Sequence, residues 1–224
     1  TEILPADKII DFRNLKEVRR LIFEGKNSEA DALCEEKLSG FYSEAFMPMG
    51  EIDLAFGRLG KDGYERTLDL SRAVHTVRSN GCIAEAFSSY PDKLSVYKIK
   101  ADKPFSVTIT AKSKLRYEVG AYKNTLFVCG NALDYAAPNY LFHELYPIRY
   151  NEKNGMAFCL GLKAATDGSI KSGRNCLKIK NATELTLFFV TETGFSGFDR
   201  MPATDRSDVR IRSHERLENI KHDY

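Results

Sequence analysis

The sequence predicts a mainly β protein: an antiparallel β-sandwich with a helical hairpin ahead of it and a further helix at its end. Three observations carry that reading. Short segments with apolar residues at every second position recur from residue 52 to residue 192, which is the signature of half-buried strands. Asn80-Gly81 separates two such segments, AVHTVRS and CIAEAFSS, and Asn-Gly is the preferred pair for a two-residue type I′ hairpin. Helical spacing of apolar residues is confined to the first forty residues and the last twenty. Many strands with turns between them, and few helices, favour an antiparallel sandwich over a parallel α/β fold.

The elements follow in order. Asn14 and Glu17 have the spacing of a capping box, and Leu15, Val18 and Ile22 then form one apolar stripe. Gly25 supplies the left-handed stop that ends many helices. A second helix is predicted over 27–38, with Ala30, Leu33, Cys34 and Leu38 on its apolar face and Gly40 as its cap. Beyond Pro48, Ile52, Leu54 and Phe56 alternate with polar or small residues. After the Asn80-Gly81 hairpin come separate strands from Leu94, Phe105, Leu115 and Thr125, with Phe105, Val107, Ile109 and Ala111 on one face. From 134 to 154 the rhythm stops. That stretch, rich in aromatics and holding Pro138 and Pro147, is predicted to be a long loop or excursion. Met156, Phe158, Leu160, Leu162 and Ala164 then share a face. Asp167-Gly168 marks a turn. CLKIK and ELTLFFVTE complete the β region, the latter apolar on both faces, as suits a central strand. The polar tail has a weak helical face through Leu217 and Ile220 and runs to Tyr224 without a cap, as expected of an interrupted connection.

Composition excludes several classes of function. Lys and Arg number 33 against 31 Asp and Glu, a formal charge of +2, too near neutral to grip a phosphate backbone; nucleic acid is not expected as a partner. No apolar run approaches the roughly 20 residues that span a bilayer, so no membrane partner is expected either. The segment TEILPADKII lacks the order of a signal peptide, and without an initiator Met it has the look of a processed or trimmed product. Cys34, Cys82, Cys129, Cys159 and Cys176 are scattered, odd in number and without a CxxC pair. Zinc-knuckle spacing is therefore missing. The five are expected to be free, mostly buried thiols, which leans toward a reducing, cytoplasmic compartment.

The residues spell out no active site. There is no G-x-S-x-G elbow, P-loop, dinucleotide fingerprint or EF-hand loop, and neither a cofactor nor a metal is expected. His75 lies in an alternating strand, and His214 and His222 lie in the polar tail; all three are expected to be structural or surface residues. His143 stands apart, among Tyr140, Phe142, Glu144 and Tyr146 in the irregular stretch. A Tyr-rich loop can stack on sugar rings, so Tyr140, His143 and Tyr146 are the candidate substrate contacts. The plainer alternative is that these aromatics cover the end of the sandwich or a neighbouring domain. Glycoside hydrolysis needs two placed carboxyl groups, and no pair is marked by spacing. Glu35 and Glu36 suit a solvated helix face, and Glu184 and Glu192 suit strand ends. Asn181-Ala182-Thr183 fits a glycosylation sequon, a pattern common by chance.

Several segments resemble, in consistent order, glycoside hydrolase family 95, the α-L-fucosidases and their relatives. LKEVRRLIFEGKNSEADALCEEKLSG is similar to a helical segment near the family's start, and FMPMGEIDL resembles its Y-Q-P-L-G-D-L stretch. YERTLDLSRAVHTV and EAFSSYPDKLSVYKIKADKP resemble its consecutive hairpin strands. NGMAFCLGLKAATDGS and ATELTLFFVTETGFSGFD resemble the last strands of that domain, and HERLENIKHDY the start of a linker. The resemblance implies an N-terminal β-supersandwich over 1–200, including helices within 14–40, and over 201–224 a linker toward a missing (α/α)6 catalytic domain. It implies that the general-acid Glu and the Asn/Asp group that positions water lie in that domain. No catalytic residue carries over, and the chain alone is expected to be inactive. Phe46 and Met47 stand where the family has Tyr-Gln, and the family's opening G-N-G-R-L-G strand segment is absent. The implied partners are the chain's own catalytic domain and an oligosaccharide.

Overall fold

The computed structural model describes residues 12–38, 46–56, 62–138, 145–151, 153 and 155–220. The predicted Gly40 cap and His222 lie outside them. After a 3-10 turn at Phe12–Asn14 come α1 (Leu15–Phe23) and α2 (Asn27–Lys37). Gly25, at φ +75°, makes the turn between them, a conformation that costs glycine nothing. The capping box does not form: Asn14 has helical backbone angles and makes no side-chain cap. The 3-10 turn has already begun the spiral, and Glu17 instead accepts from Arg20 Nε at 2.9 Å. Val18, Leu21 and Ala30 form a small core of their own with Leu33, Cys34 and Leu38. No described residue of the β region belongs to it.

The β region is an antiparallel two-layer sandwich. Its strands are β1 (Glu51–Phe56), β2 (Glu65–Asp69), β3 (Val74–Ser79), β4 (Cys82–Ser89), β5 (Leu94–Lys112), β6 (Arg116–Tyr122), β7 (Thr125–Asn131), β10 (Ala157–Thr166), β11 (Ser169–Ser172) and β12 (Cys176–Thr193). Two further short strands, β8 (Tyr135–Ala136) and β9 (Ile148–Arg149), pair apart from the rest. The main order is β2-β3-β4-β5-β12-β10-β7-β6, with β1 on β5 and β11 on β12. The β3–β4 turn matches its prediction: Asn80 and Gly81 have φ of +48° and +71°, positive at both centres as type I′ requires.

Two pairs of predicted strands prove to be single long ones. Those starting at Leu94 and Phe105 are both β5, and CLKIK and ELTLFFVTE are both β12. The first half of β5 pairs with β4 and with the second half of β12; its second half pairs with β1 and with the first half of β12. Each strand therefore belongs to both layers. The crossing point is where Pro104 removes a ladder donor. Opposite it the register of β12 shifts on both sides of Ala182, and Asn181 takes φ +53°. Asp167 braces this bulge, accepting from Thr183 N at 3.0 Å and Glu184 N at 2.9 Å.

Among the described residues the fold puts an eight-strand layer beneath a four-strand layer of β1, β5, β12 and β11. Between them lie Ile99, Val107, Ile109, Leu162, Leu177, Ile179, Leu185 and Leu187, each 2% exposed or less. The Phe105–Ala111 face belongs to this core as the spacing predicts. β10 is buried on both faces, because its second face lies under α3 (Arg206–Glu218). Val209 and Leu217 reach the layer there, beside Phe127, Phe188 and Val190. Gly161 leaves the necessary space, since a Cβ would stand 2.3 Å from Ser213 Oγ.

Two expectations are corrected here. Cys129 and Cys159 are not free but joined by a disulfide across β7 and β10, where they stand directly opposite one another. Directly opposed positions on paired strands bring their side chains together, and these Cα atoms are 4.2 Å apart. Cys34, Cys82 and Cys176 are free and half-buried rather than buried. Glu192 is more than a strand end. It is 7% exposed and accepts from Arg212 Nη1 at 2.9 Å and Arg216 Nε at 2.7 Å, so two cations of α3 clamp one buried carboxylate. Asp205 starts that helix by accepting from Ser207 N at 2.8 Å, an N-cap the sequence reading did not mark.

Candidate functional site

Strands β7, β10 and β12 end at one rim of the large layer, and the irregular segments leave from it. Asn131, closing β7, holds both: its Nδ2 donates to Gly155 O and to Thr204 O, each at 2.9 Å. Ala157 N donates to Ala203 O at 2.9 Å, and Ala132 N to Met156 O at 2.8 Å. The 134–154 excursion is not wholly irregular. Its base is the β8–β9 ladder, with Asp134 N donating to Arg149 O at 2.9 Å. Guanidinium groups cover its aromatics: Arg149 lies 4.0 Å from the Tyr135 ring centre and Arg116 4.3 Å from that of Tyr150, both within cation–π reach.

On this braced base stand exposed apolar side chains. Leu145, Tyr146 and Ile148 project from the excursion, and Phe195 and Phe198 from the segment joining β12 to α3. Five large apolar side chains are thus exposed on the two segments that leave this rim. Of the predicted contacts, Tyr146 is in this group at 71% exposed; Tyr140 and His143 lie outside the described residues. His75 is half-buried on β3, facing Ala86 of β4, and His214 is exposed with its ring edge-on to Phe127. Phe195 and Phe198 flank Gly197, past which the composition turns polar, and the sequence reading gave them no role. The signal available was their closeness to the end of a fully apolar strand.

Two grooves flank the small layer. One, of about 640 Å³, runs beside β1 over Ala86, Tyr97 and Phe189. Burial raises the Tyr97 phenol above its ordinary range, with Cys82 adding to the effect. The other, of about 580 Å³, lies by β6 between Glu118 and Arg174. Among the described residues no group of His, Cys, Asp and Glu is arranged to hold a metal ion, and no helix is long and apolar enough to cross a membrane.

Comparison with known proteins bears on the origin of this architecture. Residues 7–197 match the family described as "Glycosyl hydrolase family 65, N-terminal domain". The chain belongs to that family. It is also 28% identical to "Alpha-L-fucosidase 2" of Arabidopsis thaliana, over 92% of its own length and 26% of that protein. It thus spans about a quarter of the curated relative it matches. Among solved structures it is similar to "Putative kojibiose phosphorylase from human microbiome", with a TM-score of 0.44 and 10% identity, over 75% of this chain and 24% of that one. The protein is an N-terminal domain of a glycoside hydrolase family related to fucosidase.

Proposed function

We propose that this domain is non-catalytic and supports the active site of a catalytic domain in the same polypeptide, one that hydrolyses α-L-fucosides or closely related glycosides. The observation that carries the reading is the rim of exposed apolar side chains, Tyr146, Ile148, Phe195 and Phe198 among them, standing on a hydrogen-bonded base. Surfaces of this kind suit burial against another domain. A rigid backing matters because catalysis needs its groups held within a fraction of an ångström. The test uses a polypeptide containing this domain and the catalytic one. Phe198→Asp is expected to lower kcat/KM for an aryl α-L-fucoside about tenfold, the scale of a small misplacement of reacting groups, while the 224-residue chain alone gives no turnover. Turnover by the chain alone would overturn the reading.

A second reading rests on Tyr146, whose ring is open to solvent: the excursion, with Tyr140 and His143, holds an oligosaccharide directly. Calorimetric titration of the chain with fucosylated oligosaccharides decides it. Heat that disappears in Tyr146→Ala and Tyr140→Ala supports this reading, and its absence from the start removes it.

A further inference from the structure

The two layers differ in width, and the difference leaves a slot. Among the described residues the large layer continues past β5 through β4, β3 and β2, and the small one through β1 alone. Among the described residues β1 pairs only with β5, so no described strand occupies its second backbone edge. The 640 Å³ groove lies along that edge: Ile52 and Leu54 form its wall, and Ala86, Tyr97 and Phe189 its floor. No charged residue lines it. On the solvent side of β1 the pattern is opposite. Glu51 and Asp53 project there, both exposed, held from the far side by Lys112 at 3.3 and 2.9 Å. An unpaired edge beside an apolar trough is the geometry that β-augmentation uses, with backbone bonds giving affinity and alternate side chains giving specificity.

We propose that the β1 edge accepts an extended polypeptide strand whose side chains alternate between apolar and basic. Its apolar residues enter the trough over Ala86, Tyr97 and Phe189, and its basic residues lie beside Glu51 and Asp53. The charge pattern selects the basic class, because like charges on neighbouring strands repel and opposite charges attract. Added in this way, the strand widens the small layer by one position and covers apolar surface now open to water.

The test uses the 224-residue chain and a fluorescein-labelled acetyl-Lys-Val-Lys-Val-Lys-Val-Lys amide, with the matching Glu-Val peptide as control. Anisotropy is expected to show the basic peptide binding about tenfold tighter, since two cross-strand charge contacts change from attractive to repulsive. Hydrogen exchange at residues 51–56 should slow when the basic peptide is added, and exchange at residues 169–172, on the open edge of β11, should not. The double substitution Glu51→Lys with Asp53→Lys, on exposed positions that leave the core intact, should reverse the preference. Ala86→Arg, which puts a charge into the trough, should abolish binding of both peptides. Binding by neither peptide, equal binding by both, or unchanged exchange at 51–56 overturns the proposal. So does self-association by light scattering with 51–56 already protected, which would make a second copy the occupant.

Discussion

Helices α1 and α3 invert what their sequences advertise. α1 carries a clean apolar stripe, yet among the described residues its buried Val18 and Leu21 cluster only with α2 and Leu38, and Leu15, Ile22 and Phe23 are exposed. α3 reads RSDVRIRSHERLE, as polar as a solvated linker, yet Val209, Ser213 and Leu217 on it are fully buried against the large layer. Amphipathicity says that a helix has a face to bury. Whether that face finds a deep partner depends on the shape of the other surface. Gly161 opens a seat for α3, and Glu192 fixes its angle through Arg212 and Arg216.

The contrast can be broken in order of expected effect. Leu217→Ala should cost about 3 kcal/mol of unfolding free energy, the usual scale for a buried leucine in a packed core. Leu21→Ala in the hairpin should leave the main transition unmoved, because its cluster is separate. Urea denaturation of both variants measures the difference, and equal midpoint shifts would mean that the hairpin and sandwich share one core. Glu192→Ala comes next, at roughly 2 kcal/mol. The carboxylate is buried, but the guanidinium groups it leaves are 40% and 32% exposed and recover water, which holds the cost below that of a fully buried pair. A midpoint unchanged in 1 M salt and in the variant would remove the clamp from the account. Ser213→Ala is the smallest, a gain within about 1 kcal/mol, since Ser213 Oγ is buried without a hydrogen-bond partner and deleting it removes a desolvated polar atom. A loss instead would reveal a partner for that hydroxyl.

Away from the helices, Asp167 should set a pH dependence. Hydrogen bonds from Thr183 and Glu184 hold its carboxyl down at about 2, against an ordinary 3.8. A lowered folded value means that the contribution is complete above pH 3.8 and is lost as pH falls toward 2. Asp167→Asn should therefore flatten thermal stability between pH 4 and pH 2 relative to the parent. An identical slope in the two proteins would count against the brace.

What was legible in the sequence was what neighbours in the chain decide. The Asn80-Gly81 hairpin, the Gly25 stop and the Phe105–Ala111 face all depend on a few adjacent residues, and all are present. Family resemblance likewise reached the right kind of domain. Distant pairings were not legible. Cys129 meets Cys159 because of strand register, which no spacing in the chain encodes. Glu192 meets arginines 20 and 24 residues away. Pro104 and Asn181 are ordinary break signals, yet here each sits within a strand that bends and goes on. Of the predicted sugar contacts, Tyr146 fell on the exposed rim, while Phe195 and Phe198 joined it only through folding.

The shared course of β5 and β12 has a mechanical consequence. In an ordinary sandwich the two sheets touch only through side chains and can slide or part like loose pages. Here two continuous backbones run from one sheet into the other, as a spine joins the covers of a book. A pull on either cover travels along covalent bonds to its opposite, so the pair must yield together.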